Sequence, residues 1–196
     1  YKVMGLAPYG EPKYVQQIYD HILDLKEDGS FKMNMEFFDY CAGLKMTNDK
    51  FADLFDGPAR VGESKLTQRE MDLARSVQEV TEEIMLRMTR HVKKETGQKN
   101  LVLAGGVALN CVGNGRVLRE GPFENIWIQP AAGDAGGAIG AALYTWYTYL
   151  GNPRKADGVK DSQSGSYLGP VYKDDEIEHY FKMNEIVYQK VAPEEL

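Results

Sequence analysis

The chain has 196 residues, of which 43% are hydrophobic and 27% are charged. This composition excludes a disordered or collagenous protein, and two cysteines are too few for a disulfide-stapled fold. The net charge of −6 disfavours direct binding to nucleic acid, which needs a basic surface. We therefore expect a globular protein of the reducing cytoplasm. Its 20 glycines are gathered in a few places, which makes those places candidates for function.

The first third of the sequence predicts short elements. Residues 5–12 are rich in Gly and Pro and predict a loop, and a short amphipathic helix is expected from Tyr14 onward. The Asp28-Gly29 pair lies between roughly alternating flanks and predicts a β-hairpin. Residues 48–64 are polar and predict a connecting segment. No stretch is long and apolar enough to predict a membrane segment.

A long helix is predicted over residues 67–96. Thr67 and Glu70 have the spacing of a capping box, and Gly97 follows two lysines as a stop signal. Seven apolar residues at helical spacing are expected to form one buried stripe: Met71, Leu73, Val77, Val80, Ile84, Met88 and Val92.

Two strand–turn–helix units follow. Residues 101–104 predict a strand that leads through Gly105-Gly106 to a helix over residues 108–120, and residues 126–129 predict a strand followed by a helix over residues 135–150. This succession is typical of an α/β layer with parallel strands, whose ligand crevice lies at the carboxyl ends of the strands. Four aromatic residues of the last helix are expected to pack in the interior: Tyr144, Trp146, Tyr147 and Tyr149.

The first candidate site is the turn at Gly105 and Gly106. Two glycines at a strand end let a ligand approach bare backbone, and the following helix offers free N–H groups to an anion. Asn110 carries an amide that suits a ribose hydroxyl or a carbonyl. The alternative is an ordinary strand-to-helix turn in which Asn110 caps the helix.

Two charged residues are further candidates. Asp134 is the only acidic residue between Asn125 and Asp157, and it suits either a cation or the N-cap of the next helix, two roles that are compatible. Lys2 could meet a phosphate, although a helix end followed by a turn explains the same segment.

Four blocks of sequence together resemble one family: KVMGLAPYG from Lys2, LAGGVALN from Leu103, NGRVLREGP from Asn114 and IQPAAGDAGGAIG from Ile128. In this order they are similar to the NodU-type carbamoyltransferases, which include antibiotic-tailoring O-carbamoyltransferases. The resemblance covers residues 1–150 well and residues 165–190 weakly.

The resemblance implies an α/β fold of the actin-like ATPase (ribonuclease H-like) type, a mixed sheet with flanking helices that is shared with the TsaD proteins. Residues 1–150 would be the second, C-terminal half of that domain, and residues 151–166 a linker. Residues 167–196 would begin a truncated C-terminal region of the YrdC-like type.

The resemblance also implies a reaction. A carbamoyl group from carbamoyl phosphate is joined to AMP from ATP, and the carbamoyl-adenylate then passes it to a hydroxyl group of a small acceptor molecule. Carried over by motif, Gly105, Gly106 and Asn110 would contact the nucleotide, together with Lys2 at a phosphate. Asp134 would bind Fe²⁺ or a similar divalent metal.

The sequence departs from this family in two respects that bear on function, since most of the YrdC-like domain and the family's histidine pair are both missing. The family's other metal ligands are two histidines four residues apart, and no HxxxH pattern occurs here. We therefore expect those histidines to precede Tyr1 in a longer protein, and the 196-residue chain to be inactive alone. The alternatives are an actin-like sugar or acetate-type kinase and a non-catalytic nucleotide-binding scaffold. The acceptor and the oligomeric state are not indicated.

Overall fold

The computed structural model describes residues 1–159, 161 and 163–192. The chain divides into two compact units, residues 1–152 and 153–196. The first unit is mixed α/β, and its regular elements in chain order are α1 (Lys2–Leu6), α2 (Val15–Gln17), β1 (Leu23–Leu25), β2 (Phe31–Met33), α3 (Asp49–Leu54), α4 (Gln68–Thr96), β3 (Asn100–Leu103), α5 (Cys111–Glu120), β4 (Asn125–Ile128) and α6 (Gly136–Leu143). Within the described residues, no helix is both long and apolar enough to cross a membrane.

The long helix α4 is the centre of the first unit. The predicted capping box is confirmed, because the Glu70 carboxylate accepts a hydrogen bond from the backbone N–H of Thr67 at 2.8 Å. The helix ends at Gly97, whose φ of +65° is the left-handed conformation expected of a C-terminal glycine. These two signals place both ends of the helix within one residue of the prediction.

Two hydrophobic clusters form on different parts of α4. One surrounds Val80 and contains Tyr14, Ile18, Ile22, Leu23 and Phe55. The other joins Leu86 to β3, α5 and the segment before β4, through Leu101, Val117 and Phe123. Because α4 contributes to both clusters, the hairpin region and the β3–β4 region both pack against this helix.

The predicted hairpin and the predicted parallel pair are both confirmed. Strands β1 and β2 pair antiparallel across a turn in which Gly29 has a φ of +86°. Strands β3 and β4 pair parallel, with Leu103 opposite Ile128 at their carboxyl ends. The described strands thus form two separate pairs rather than one mixed sheet, and the actin-like arrangement stays a prediction.

Two segments predicted as irregular are partly helical. Residues 5–12 contain the end of α1 and a 3₁₀ turn, Ala7–Tyr9, because Pro8 is tolerated in a first helical turn and Ala7 is buried. Residues 48–64 contain α3, whose N-cap Asn48 accepts a hydrogen bond from Phe51 N. The amphipathic helix expected from Tyr14 is present as α2 followed by a π-helical segment, Ile18–Ile22.

The predicted apolar stripe of α4 is wrong in part. Val77, Met88 and Val92 are exposed, whereas five polar side chains of the helix are buried: Asp72, Ser76, Gln78, Glu82 and Thr89. The interior face of α4 therefore carries polar as well as apolar side chains, because buried backbone groups of neighbouring segments need hydrogen-bond partners there. For example, Ser76 Oγ accepts a hydrogen bond from the buried Tyr14 N at 2.9 Å.

The last predicted helix of this unit is also different in detail. Its first part is α6, and its second part is a π-helical segment, Tyr144–Tyr149. Tyr144, Trp146 and Tyr149 are exposed rather than packed, because the described residues supply no interior for that face. The second unit contains α7 (Asp174–Met183), and Lys190 pairs with Asp174 and Glu178.

The capping box predicts a pH effect on stability. Hydrogen bonds from Thr67 lower the pKa of Glu70 from 4.5 to about 2. Because the folded-state pKa lies below the unfolded one, the contribution of Glu70 is complete above about pH 4.5 and is lost as the pH falls toward 2. We expect Glu70→Gln to lower the free energy of unfolding at pH 7 by about 1 kcal/mol and to reduce its decline between pH 4.5 and 2, as measured by urea denaturation. An unchanged acid-side slope would contradict this assignment.

Candidate functional site

The glycine turn after β3 has an open backbone. Gly105 has a φ of +99°, which glycine adopts without strain, and Gly106 begins a 3₁₀ turn, Gly106–Leu109. A Cβ built on either glycine would have no atom within 4 Å. The N–H groups of Gly106 and Val107 have no hydrogen-bond partner in the described part of the chain. Two unpaired donors beside empty space form an arrangement that suits an anion.

The second glycine-rich loop lies directly beside this turn. Gly105 N donates a hydrogen bond to Ala132 O at 2.8 Å, and Gln129 N donates one to Leu103 O at 3.1 Å. Parallel pairing of β3 and β4 therefore continues beyond the strands and joins the two loops. The structure thus brings the loop of Gly105 and Gly106 next to the loop that carries Asp134, as the β-turn-α pattern predicted.

The Asp134 side chain is exposed, and its carboxylate makes no hydrogen bond or ion pair within the described residues, although its backbone oxygen accepts a hydrogen bond from Gly137 N at 3.1 Å. The N-cap of α6 is Ala135, and no side-chain hydrogen bond caps this helix. The helix-cap interpretation of Asp134 is therefore wrong. No contact in the described structure therefore explains a carboxylate at this position. It is available to a ligand or an ion.

Asn110 is already engaged in the structure. It is the N-cap of α5, where its Oδ1 accepts a hydrogen bond from Gly113 N at 3.0 Å, so the capping interpretation is confirmed. The same oxygen accepts from Gln78 Nε2 at 3.1 Å, and Asn110 Nδ2 donates to Gln78 Oε1 at 2.9 Å. One N–H of the Asn110 amide is left over for a ligand.

A buried polar chain behind Asn110 was not predicted from sequence. Gln78 Nε2 also donates to Glu82 Oε1 at 2.8 Å, and Glu82 Oε2 accepts from Arg116 of α5 at 3.0 Å. The i,i+4 spacing of Gln78 and Glu82 on α4 was a visible signal. This signal is weak, because charged and amide residues on a helix usually face solvent.

Lys2 lies on α1 with an exposed side chain that has no partner in the described part of the chain. Met4 of the same helix contacts Cys111 at the start of α5, with 3.9 Å between the two sulfur atoms. Helix α1 therefore lies beside α5, the helix that follows the glycine turn. A role of Lys2 at a phosphate stays a prediction.

The residues present do not fit a metal ion by themselves. Among the described residues no group of three or more His, Cys, Asp or Glu side chains could hold one. A single carboxylate at Asp134 falls short of the three or more donors that protein metal sites use.

Comparisons with known proteins give one family and several similar proteins. The family described as "Carbamoyltransferase N-terminus" matches residues 1–143. An uncharacterized protein of Synechocystis sp. is 61% identical over all of this chain, which spans 32% of that protein. Nodulation protein NolO of Bradyrhizobium diazoefficiens is 36% identical over 86% of the chain, which spans 29% of it. Nodulation protein NolNO of Sinorhizobium fredii is 41% identical over 73% of the chain, which spans 19% of it.

The chain therefore spans a third or less of the length of these relatives. The family match covers α1 through α6 and includes both glycine loops, Asn110 and Asp134. The match extends through nearly all of the first unit, and the chain belongs to the carbamoyltransferase family.

Proposed function

We propose that this chain provides the nucleotide-facing part of an ATP-dependent carbamoyltransferase. The observation that carries the proposal is the pair of open, hydrogen-bonded glycine loops, with free N–H groups at Gly106 and Val107 and an unengaged carboxylate at Asp134. Family membership supports the transferred group. The proposal uses the nucleotide contacts expected from the sequence, which are Gly105, Gly106 and Asn110.

The proposed reaction has two stages. Carbamoyl phosphate, ATP and water form carbamoyl-adenylate, phosphate and pyrophosphate. The hydroxyl oxygen of a small acceptor then bonds to the carbamoyl carbon, the bond from that carbon to AMP breaks, and the hydroxyl proton is released. The N–H groups of the glycine turn would hold phosphate oxygens of the nucleotide and favour the negative charge of the departing AMP.

A nucleotide assay tests this proposal. We expect the full-length protein to release pyrophosphate from ATP only when carbamoyl phosphate is present. ADP formation with a phosphorylated product would instead identify a kinase, and ATP binding without turnover would identify a scaffold. Either result contradicts a carbamoyltransferase.

The 196-residue chain alone is proposed to be inactive. Its described residues contain no group that could hold a metal, and Fe²⁺ or a similar ion would need donors from elsewhere in the longer protein. We also propose that the protein is located in the cytoplasm and has no nucleic-acid or membrane partner. A small-molecule hydroxyl acceptor is part of the same proposal.

Asp134 offers a direct test of the carboxylate. We expect Asp134→Asn to lower carbamoyl transfer by the full-length protein about tenfold or more, because the variant lacks the charge available to a ligand or an ion. The melting temperature should be unchanged, because no contact in the described structure depends on that charge. Asp53→Asn is the matched control, since Asp53 is also an exposed carboxylate without a described partner. Equal transfer by the Asp134 variant and the control would exclude a functional role for Asp134.

A further inference from the structure

The Asn110 amide is held in one orientation from two sides. The helix α5 needs an acceptor at its N-cap, so Asn110 Oδ1 faces Gly113 N at 3.0 Å. On the other side Gln78 pairs with both ends of the amide, at 3.1 and 2.9 Å. Gln78 is only 3% exposed, so water does not substitute for this pairing.

The orientation of Gln78 is itself determined by charge. Glu82 is 4% exposed, and Arg116 donates to it at 3.0 Å while bonding Glu120 through two further nitrogens. A carboxylate can only accept hydrogen bonds, so Gln78 must turn its NH₂ group toward Glu82. The hydrogen bonds to Glu120 and Glu82 raise the pKa of Arg116, and the guanidinium stays charged.

With Gln78 oriented by Glu82, the polarity of Asn110 follows. The Gln78 NH₂ group supplies one hydrogen to Glu82 and one to Asn110 Oδ1, and its carbonyl oxygen accepts one hydrogen of Asn110 Nδ2. The oxygen of the Asn110 amide and one of its two N–H groups are therefore occupied. The group left over is a single N–H donor on a half-buried side chain that follows the glycine turn.

We propose that Gln78, held by Glu82 and Arg116, is a positioning residue that makes Asn110 present one N–H donor, so that Asn110 selects a hydrogen-bond acceptor on the bound nucleotide. This inference rests on the proposed function, because it requires a nucleotide at the glycine turn. It adds a direction to the contact: the recognised atom of the nucleotide is an acceptor, such as a ring nitrogen or a ribose oxygen.

The test uses ATP analogues that each lack one acceptor: 1-deaza-, 3-deaza-, 7-deaza-, 2′-deoxy- and 3′-deoxy-ATP. Their affinities for the full-length protein are measured by calorimetry. We expect one analogue to bind about tenfold more weakly than ATP, because a site built to bond a given atom rejects the analogue without it. In Gln78→Leu this ratio should fall to about twofold, and in Glu82→Gln to an intermediate value.

Glu83→Gln is the matched control. Glu83 is the neighbouring glutamate of α4 and bonds Arg87 four residues later at 2.7 Å, but it lies outside the chain of bonds to Asn110. It should keep the wild-type ratio. A ratio of affinities within one variant does not change with folding stability alone, and Glu82→Gln, which alters shape least, decides the matter if Gln78→Leu does not fold.

The outcomes are separable. If the wild-type protein binds ATP but discriminates against none of the analogues, or if both variants keep the wild-type ratio, the positioning role is wrong and the proposed function stands. If the wild-type protein does not bind ATP, the proposed function and this inference both fail. A reduced ratio in Gln78→Leu and Glu82→Gln, with Glu83→Gln unchanged, supports the role.

Discussion

Replacing Gly106 by valine is expected to lower the affinity of the full-length protein for ATP about a hundredfold. The side chain would enter the open space at the turn, where a Cβ meets no protein atom within 4 Å. The fold itself should tolerate the change, since φ at Gly106 is not positive. A ligand that approaches the backbone there would clash with the valine side chain. The hundredfold loss of affinity corresponds to the upper end of the about 1–3 kcal/mol that overpacking costs.

The measurements for Gly106→Val are an ATP titration and urea denaturation. We expect the free energy of unfolding to change by less than about 1 kcal/mol, the range of intrinsic backbone preferences. Gly62→Val is the matched control, because Gly62 also has open space around it and no positive φ but lies in an exposed turn before α4. Wild-type affinity in Gly106→Val would remove the glycine turn from the nucleotide site.

The largest loss of stability is expected for Leu86→Ala. Leu86 is 1% exposed and is the residue of α4 at the centre of the cluster with Leu101, Val117 and Phe123. Truncation would remove Cγ and both Cδ methyl groups of the side chain from this cluster and leave a cavity. We expect the free energy of unfolding to fall by about 2–5 kcal/mol.

Leu118→Ala provides the comparison for Leu86→Ala. Leu118 lies on α5 next to the buried Val117 but is exposed, so the same truncation there should cost less than about 1 kcal/mol. Urea denaturation of both variants measures the difference. Similar losses in the two variants would mean that α4 does not pack on the β3–β4 region as the structure has it.

Local signals predicted the helix ends and the turns well. The Thr67–Glu70 capping box and Gly97 act through neighbouring backbone, so their effect does not depend on the rest of the fold. The turn at Gly29 and the glycine at position 105 likewise have positive φ values that few other residues adopt. These elements were predictable because each depends on contacts within a few residues of sequence.

Packing around α4 was predicted poorly, for the opposite reason. Periodicity placed Val77 and Met88 in the interior, yet the interior positions include Ser76, Gln78 and Glu82. Whether a polar side chain is buried depends on partners far along the chain, such as Tyr14 N for Ser76 and Arg116 for Glu82. A pattern within one helix contains no information on those partners.

The candidate site shows the same division. The residues alone identified the two glycine loops and Asp134 as places for a ligand, and their order along the chain indicated the family. Only the tertiary structure decided that Gly105 bonds Ala132, that Asp134 caps nothing and that Asn110 is held by Gln78. Glycine conformations and motif order are properties of short segments, whereas the partner of a buried amide is decided by which helix the fold places against it.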